Sequence, residues 1–461
     1  MARGRDLMGY LRRLRDRHGP ACALWLGPHL LAVLADPEDL AVVFGSARAL
    51  SKPVFYRPLT LVFGGSLIAA DADAWRKSRR LMNPAFAARV VSGYASTFDA
   101  KSRAMADRLQ LRCGGAPFDV ADYTKLCALD MITETSLGAP ADIQGGDGQH
   151  CVTRNMPRIA RVLAHLFLRP WFWFTSVVKL TRWHRDLREL AEPIRDLVDG
   201  IVVQKTASHL NSSTKKSVGE LDAEAPKQRP GFLEHMIAAT ADDPGLFAAE
   251  ELRDQAMLIM GAGTDTTALT VAYALMLLGL HPDVQLKALA EQEDIFGGDA
   301  QRPVTAGDLK RMVYLEQVIN ETMRMYSVGP LVSRWADEDV RLREYTLPAG
   351  TTIIIPIYLV HRDPNYYPDP FKFDPDRFRK GVIRPQCSFI PFASGRRMCI
   401  GSHYAYMAMK TMLSVVLRRF EVLEYGSRDD MECLQYEFVL KMVKGHNIKL
   451  GPRKWEINNE T

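Results

Sequence analysis

The spacing of apolar residues changes character along the chain. Up to about residue 70 the pattern is mixed. Ala21 to Leu26 and Leu30 to Leu34 are short apolar runs on either side of Gly27-Pro28, which predicts a hairpin. Asp36-Pro37 then opens a helix, because proline is tolerated at the first helical position. From Ala72 to about Gly200, and again from Phe232 to Tyr326, helical periodicity dominates, with Pro and Gly as punctuation. The polar stretch between them, Ser208 to Pro230, reads as a surface loop.

Beyond residue 326 strands appear. Leu331 to Trp335, Val340 to Leu342 and Thr351 to Ile355 read as strands. Asp363 to Phe378 carries Pro364, Pro368, Pro370 and Pro375, so an irregular, rigid meander is expected there. Tyr404 to Phe420 reads as a last long helix and Phe438 to Leu450 as a closing hairpin. The expectation is one mainly α domain over residues 1–461 with a smaller β part. Residues 1–70 and 331–360 supply the β-rich part, 72–326 and 400–420 the helical core, and 363–399 the meander and a cysteine loop.

Two apolar segments approach membrane-spanning length. Leu163 to Leu180 is broken by Arg169-Pro170. Ala256 to Leu280 is long enough but holds Asp265 among threonines, and an ionisable group in such a run marks a functional helix. We read it as a buried core helix. The start of the chain has Arg3, Arg5, Arg12, Arg13, Arg15 and Arg17 and no apolar run of signal-peptide or spanning length.

Composition narrows the class. Of 461 residues, 47% are hydrophobic and 25% charged, which excludes a disordered or fibrous chain. Lys plus Arg exceed Asp plus Glu by 59 − 54 = 5, too mild an excess to imply nucleic acid. Seven cysteines, an odd number without a Cys-x-x-Cys pair, argue against a disulfide framework or zinc site and for a reducing compartment.

One cysteine stands out. It lies in Phe392-Ala393-Ser394-Gly395-Arg396-Arg397-Met398-Cys399-Ile400-Gly401, a glycine-bounded loop just before a helix. N–H groups at a helix start favour an anion and so a thiolate, and Arg397 adds a cation two residues away. Gly395 permits a tight turn and Gly401 the close approach of a flat ligand. Elsewhere, Glu321 and Arg324 are spaced to pair on one helix face. Ala262-Gly263-Thr264-Asp265-Thr266-Thr267 places polar and small residues inside the apolar helix, where hydroxyls bonding to the preceding turn bend it and a groove for ligand and water is expected. Trp75-Arg76-Lys77-Ser78-Arg79-Arg80 reads as a basic helix face.

The stretch Phe392-x-x-Gly395-x-Arg397-x-Cys399-x-Gly401 resembles the haem-binding loop of the cytochrome P450 superfamily. The resemblance runs through nearly the whole chain. It implies the cytochrome P450 fold, with Cys399 as axial thiolate of haem iron, a ligand that favours O–O cleavage. It implies that Phe392 packs near the sulfur. Arg397, Trp75, Arg79 and Arg334 would serve the haem propionates, and Glu321, Arg324 and Arg377 would form a triad locking the meander. Thr266 and Asp265 would help deliver protons. Arg396 and Lys410 would add to a basic face for an acidic electron donor. Pocket positions by the same analogy are Phe55, Leu61, Ala262, Val328, Val332 and Phe438.

Ile295-Phe296-Gly297-Gly298-Asp299, Arg302-Pro303-Val304-Thr305, Ile355-Pro356-Ile357-Tyr358 and His361-Arg362-Asp363-Pro364 look like the animal microsomal group called family four, with an insect member the nearest in kind. Many of that group carry Glu where this chain has Ala262, so haem b is expected to be held non-covalently, and ω-hydroxylation of fatty acids transfers less readily. The resemblance implies a monooxygenase acting on a lipophilic small molecule. NADPH–cytochrome P450 reductase and cytochrome b5 would be partners at the cytosolic face of the endoplasmic reticulum, without nucleic acid. The starting arginines would meet anionic lipid, and Leu166, Phe167, Trp171, Phe172 and Trp173 would either dip into the interface or pack in the core, the commoner place for such residues. A haem-thiolate isomerase or dehydratase and a non-catalytic haem- or ligand-binding protein stay open, although Asp265 with Thr266 argues against the former.

Overall fold

The computed structural model describes residues 7–140, 142–146, 150–217, 231–243 and 245–453. Helix dominates, and the strands form small sheets, so the mainly α class holds. The expected first hairpin is present: β1 (Ala21–Leu26) pairs antiparallel with β2 (His29–Leu34). The helix Pro37–Gly45 follows, and the Asp36 carboxylate accepts from the N–H groups of Glu38 and Asp39 at its start. Two short strand pairs come later in the chain. β3 (Phe118–Asp119) waits for a partner more than 300 residues away. β4 (Val332–Trp335), β5 (Val340–Arg341), β6 (Thr346–Leu347) and β7 (Thr352–Ile355) follow the helical part. β7 lies parallel to β2 and antiparallel to β4, so one four-stranded sheet joins the start of the chain to residues 332–355.

The central helix, Ala249–Leu280, is the predicted apolar segment. Ala256, Met257, Met260 and nearly every residue from Ala268 to Leu278 are buried. It packs against the helices Ala121–Thr135, Arg182–Ser217, Val313–Met325 and Ser402–Arg419. It is a core helix of this fold, because neighbouring helices and strands bury most of its apolar stretch.

Two expectations are corrected. The closing hairpin is not built from Phe438 to Leu450. β9 (Leu434–Glu437) and β10 (Val439–Met442) pair around Phe438, which adopts φ 66°, while β8 (Phe420–Leu423) and β3 flank β11 (Asn447–Pro452). The left-handed Phe438 makes the reversal, and Gly445 at φ 79° then turns the chain away toward β11. The polar stretch from Ser208 also differs: the helix Arg182–Ser217 runs into it, because polar residues alone do not stop a helix where proline and glycine are missing. Residues 218–230 lie outside the described residues.

The meander hangs on one buried pair. Arg324 Nε donates to Glu321 Oε2 at 2.7 Å and Nη2 to Oε1 at 2.8 Å, with both side chains fully buried. The remaining guanidinium contacts go to carbonyls at and just before the meander: His361 at 3.0 Å, Pro370 at 2.9 Å and Lys372 at 3.3 Å. Arg377 Nε approaches Glu321 Oε1 at 3.5 Å, and the Asp374 N–H donates to the same oxygen at 3.0 Å. Burial first raises the Glu321 carboxyl, and the arginines oppose that. His361 extends the lock. Its Nε2 accepts from the Ile390 N–H at 2.8 Å, so Nδ1 carries the proton and meets Ser327 Oγ at 3.0 Å. Burial, then the Arg324 charge, lowers this imidazole to about 3.

Breaking a buried pair from one side leaves an uncompensated charge. Arg324→Ala is therefore expected to cost about 3–5 kcal/mol, read as a lower urea midpoint and loss of soluble protein. The neutral His361 gives stability that is complete above its unfolded value near 6.5 and is lost as pH falls from there toward about 3. Between about pH 7 and about pH 5 the wild type should lose about 2 kcal/mol through this group, and His361→Gln should lose that much less. Equal acid sensitivity of the two proteins in urea titrations would count against it.

Candidate functional site

The cysteine loop precedes the helix Ser402–Arg419, whose cap is Gly401. The Cys399 N–H donates to the Phe392 carbonyl at 3.0 Å and the Met398 N–H to Gly395 at 3.1 Å, which closes the loop on itself. Gly395 has φ 70°, and a Cβ there would stand 2.0 Å from the Phe44 carbonyl oxygen, so only glycine fits. Gly401 is different. Its φ is −91° and an added Cβ would meet no protein atom within 4 Å. The packing of the chain does not require glycine at 401, and an open face for a flat ligand fits it.

Cys399 presents accessible surface although protein surrounds it on most sides. Burial raises its thiol, while the Gly401 N–H and the Arg79 cation favour the thiolate. The cation that acts on the sulfur is thus Arg79 rather than Arg397. Arg79 Nη1 donates to the Met398 carbonyl at 2.6 Å and Nε to Asn83 at 2.7 Å. Arg397 turns away from the sulfur: it lies over the buried Trp75 ring at 4.8 Å and Nη2 donates to the carbonyls of Ala70 and Asp71 at 2.9 and 3.1 Å. The Phe392 ring lies 5.4 Å from that of Tyr406.

Three cations, one buried and two half-buried, gather at this loop. Arg334, on β4, is 2% exposed and donates Nη1 to the Ser333 carbonyl at 3.0 Å. Lys52 Nζ reaches the same carbonyl at 3.4 Å and sits 4.4 Å over the Tyr56 ring. Arg397 is the third. Burial lowers all three, Arg334 to about 10 and Arg397 to about 9; repulsion from Arg334 adds to burial at Arg397, and repulsion from Arg334 and Arg397 adds to it at Lys52. Arg334 Nη2 and Arg397 Nε and Nη1 are buried without a hydrogen-bond partner among the described residues. Unpaired buried guanidinium groups are costly, and a ligand with two carboxylates satisfies them. The propionates of the implied porphyrin fit this donor set. Lys52 was not singled out from the sequence, yet it left a trace there: it is the one charge between Leu50 and Tyr56, in a stretch otherwise apolar or hydroxylic.

In the central helix Ala262 and Thr266 are exposed although the turns on both sides are buried, so both open onto internal space. Thr266 Oγ1 donates to the Ala262 carbonyl at 2.7 Å and Thr264 Oγ1 to Met260 at 2.7 Å. Thr267 Oγ1 is buried without a partner among the described residues. Asp265 is half-buried. Of the pocket positions, Phe55 and Phe438 both meet Phe167 edge to face, at 4.3 and 6.2 Å between ring centres, so three distant segments converge on one aromatic cluster. Val328 is buried, while Leu61 and Val332 are half-buried.

The surface readings divide. Arg76, Arg80 and Arg396 are exposed and line a groove with Trp75, Arg79, Asn83, Gly395 and Met398. Lys410 does not belong to this face. It is buried, with Nζ 3.0 Å from the Leu309 carbonyl and 2.5 Å from Glu316, because its helix turns it into the core. Of the five apolar residues expected at a lipid interface, Leu166 and Trp173 are buried and Phe167 and Phe172 half-buried; only Trp171 is exposed. Trp25, Phe174, Val177 and Leu180 are exposed as well. His29 joins the β1–β2 turn to the Trp173 ring at 5.3 Å. Arg3 and Arg5 lie outside the described residues, and Arg12 to Arg17 ride on the helix Leu7–His18.

Comparison with known proteins agrees with this geometry. A family model described as Cytochrome P450 matches residues 2–449. Cytochrome P450 4V2 of Pongo abelii is 31% identical over 445 residues, covering 95% of this chain and 83% of the relative. The Homo sapiens protein of that name is 31% identical over 440 residues, with the same coverage. Cytochrome P450 4g1 of Drosophila melanogaster is 30% identical over 479 residues, covering 97% and 84%.

The cation cluster makes a prediction about porphyrin uptake. Each charge-assisted hydrogen bond to a carboxylate is worth about 1.5–3 kcal/mol, so esterifying both propionates should weaken uptake by the haem-free protein at least about tenfold. Arg334→Gln should shrink that discrimination, and spectrophotometric titration with haem and its dimethyl ester reads both. A protein indifferent to esterification would contradict the fit.

Proposed function

Because the chain belongs to the cytochrome P450 family, whose members bind haem through a cysteine thiolate and act as monooxygenases, we propose that Cys399 is this chain's thiolate ligand and that its substrate is a lipophilic small molecule. One observation carries the reading: two arginines, Arg334 and Arg397, keep buried donors unfilled beside a glycine-shaped loop that presents a single cysteine. Bound haem supplies the activation of dioxygen, with one oxygen atom going to the substrate and the other to water.

The residues around it have separable tasks in this proposal. Cys399 would ligate the iron and supply it with electron density, and Arg79 with the Gly401 N–H favours the thiolate against the burial that raises the thiol. Lys52, Arg334 and Arg397 hold the porphyrin carboxylates, with Trp75 supporting Arg397. Phe392 fixes the loop through its carbonyl. Thr266 keeps its hydroxyl at the opening in the helix, where it passes protons that Asp265 supplies. Ala262 offers no carboxylate for an ester link, in keeping with non-covalent haem b. The Phe55–Phe167–Phe438 cluster excludes water and favours apolar substrates, fatty-acid-like, terpenoid or xenobiotic.

Partners follow from the surface. The groove of Arg76, Arg80 and Arg396 suits an acidic electron donor, for which NADPH–cytochrome P450 reductase is proposed, with cytochrome b5 as a second. Trp25, Trp171, Phe174 and Leu180 make an apolar edge for membrane contact, consistent with the endoplasmic reticulum.

Cys399→Ser should abolish the long-wavelength CO-bound absorbance of the reduced protein and reductase-driven product formation together; survival of either defeats the assignment. Thr266→Ala should keep haem content but lower product formed per oxygen consumed by at least about tenfold, with peroxide released instead. Unchanged coupling would remove Thr266 from the proton path.

A further inference from the structure

We propose that Tyr406 is a positioning residue for the cysteine loop: its hydroxyl is anchored on Asn320, and its ring holds Phe392, the residue whose carbonyl fixes the Cys399 backbone. The proposal rests on Cys399 being the thiolate ligand and adds what sets the place of that ligand from behind.

Each link in this chain is a direct contact. The Tyr406 hydroxyl donates to Asn320 Oδ1 at 2.6 Å. The Tyr406 ring lies 5.4 Å from the Phe392 ring, tilted by 55°. The Phe392 carbonyl accepts the Cys399 N–H at 3.0 Å. Three contacts therefore connect the helix Val313–Met325 to the residue that carries the sulfur. A second rung keeps the first in register. Lys410, one turn after Tyr406, places Nζ 2.5 Å from Glu316, one turn before Asn320, and 3.0 Å from the Leu309 carbonyl. Two such pairs, a turn apart on both helices, oppose sliding and rotation of one helix against the other. Burial, then Glu316, raises the Tyr406 hydroxyl, so it stays protonated and donates.

Asn320 sits beside Glu321 on a helix that also carries Arg324. Glu321 and Arg324 restrain the approach to the loop, through the His361 carbonyl and the His361–Ile390 hydrogen bond. Tyr406 restrains its exit, one turn into the helix Ser402–Arg419. The loop is thus pinned at both ends from one helix. Between the pins its own backbone supplies few hydrogen bonds, so the ring contact on Phe392 decides where the Cys399 backbone rests. A Phe392 ring free to turn lets Cys399 shift and lets water reach the sulfur. The apolar shell and the hydrogen bonds around a ligand sulfur set its access to solvent and the potential of the metal it binds.

The test uses the full chain, without haem and with it. In the haem-free chain, alkylation of Cys399 by iodoacetamide, followed by peptide mass spectrometry, should run about threefold faster in Tyr406→Leu, while exposed Cys433 keeps its rate and buried Cys127 stays unmodified. In the haem-loaded chain, the ratio of reduced to oxidised haem against a redox dye at fixed poise should rise about threefold, since water at the sulfur draws electron density from the iron. Tyr406→Phe and Asn320→Leu each remove the hydrogen bond; each should give about twofold in both readings, and the double variant no more than either. Unchanged Cys399 alkylation or an unchanged ratio in Tyr406→Leu, additive effects of the two hydrogen-bond variants, or parallel acceleration at Cys127 and Cys433 overturns the proposal. If Tyr406→Leu fails to fold, the two hydrogen-bond variants decide it. Should Cys399→Ser keep the CO-bound spectrum, the ligand assignment fails by itself, and alkylation in the haem-free chain still decides whether Tyr406 positions the loop.

Discussion

The ion pair between Glu321 and Arg324 is the constraint from which the geometry of the candidate site descends. Both side chains are withdrawn from water, and a buried pair of this kind is not in itself a large source of stability. Its value here is directional. Arg324 has more donors than Glu321 can accept, and the surplus reaches three carbonyls of a segment that proline and sparse secondary structure leave unable to organise itself. His361 carries the same restraint on to Ile390, at the doorstep of the cysteine loop. A pair on one helix thereby sets where a sulfur atom sits on another.

The site places cations under opposing demands. Arg79 favours charge on the sulfur, whereas Lys52, Arg334 and Arg397 repel one another at the rim. The protein keeps these tasks on separate arginines, although Arg397 is adjacent in sequence to the loop tip. The Trp75 ring makes that separation possible by giving Arg397 a surface to lie on and so turning it from the cysteine.

Much of this was legible in the residues. Proline spacing marked the meander, Asp36-Pro37 the first capped helix, and the glycines around Cys399 the loop, because each is a local demand of the backbone. What escaped was non-local. Lys410 reads as one more cation on a basic stretch until the helix turns it onto Leu309 and Glu316. Lys52 belongs with Arg334 only once Ser51 bridges to Trp335 across nearly 300 residues. The partner of β11 was mistaken for a similar reason: alternation identifies a strand but not its neighbour, and a single left-handed residue, Phe438, redirected the pairing.

The carbonyl of Phe44 pressed against Gly395 joins residues separated by 395 − 44 = 351 positions. Contacts of such sequence separation form slowly, since most of the intervening polypeptide must be ordered first. A ribosome-bound chain has therefore to hold its earliest folded segment ready until the cysteine loop emerges. The loop takes its final shape only when both ends of that span are in place.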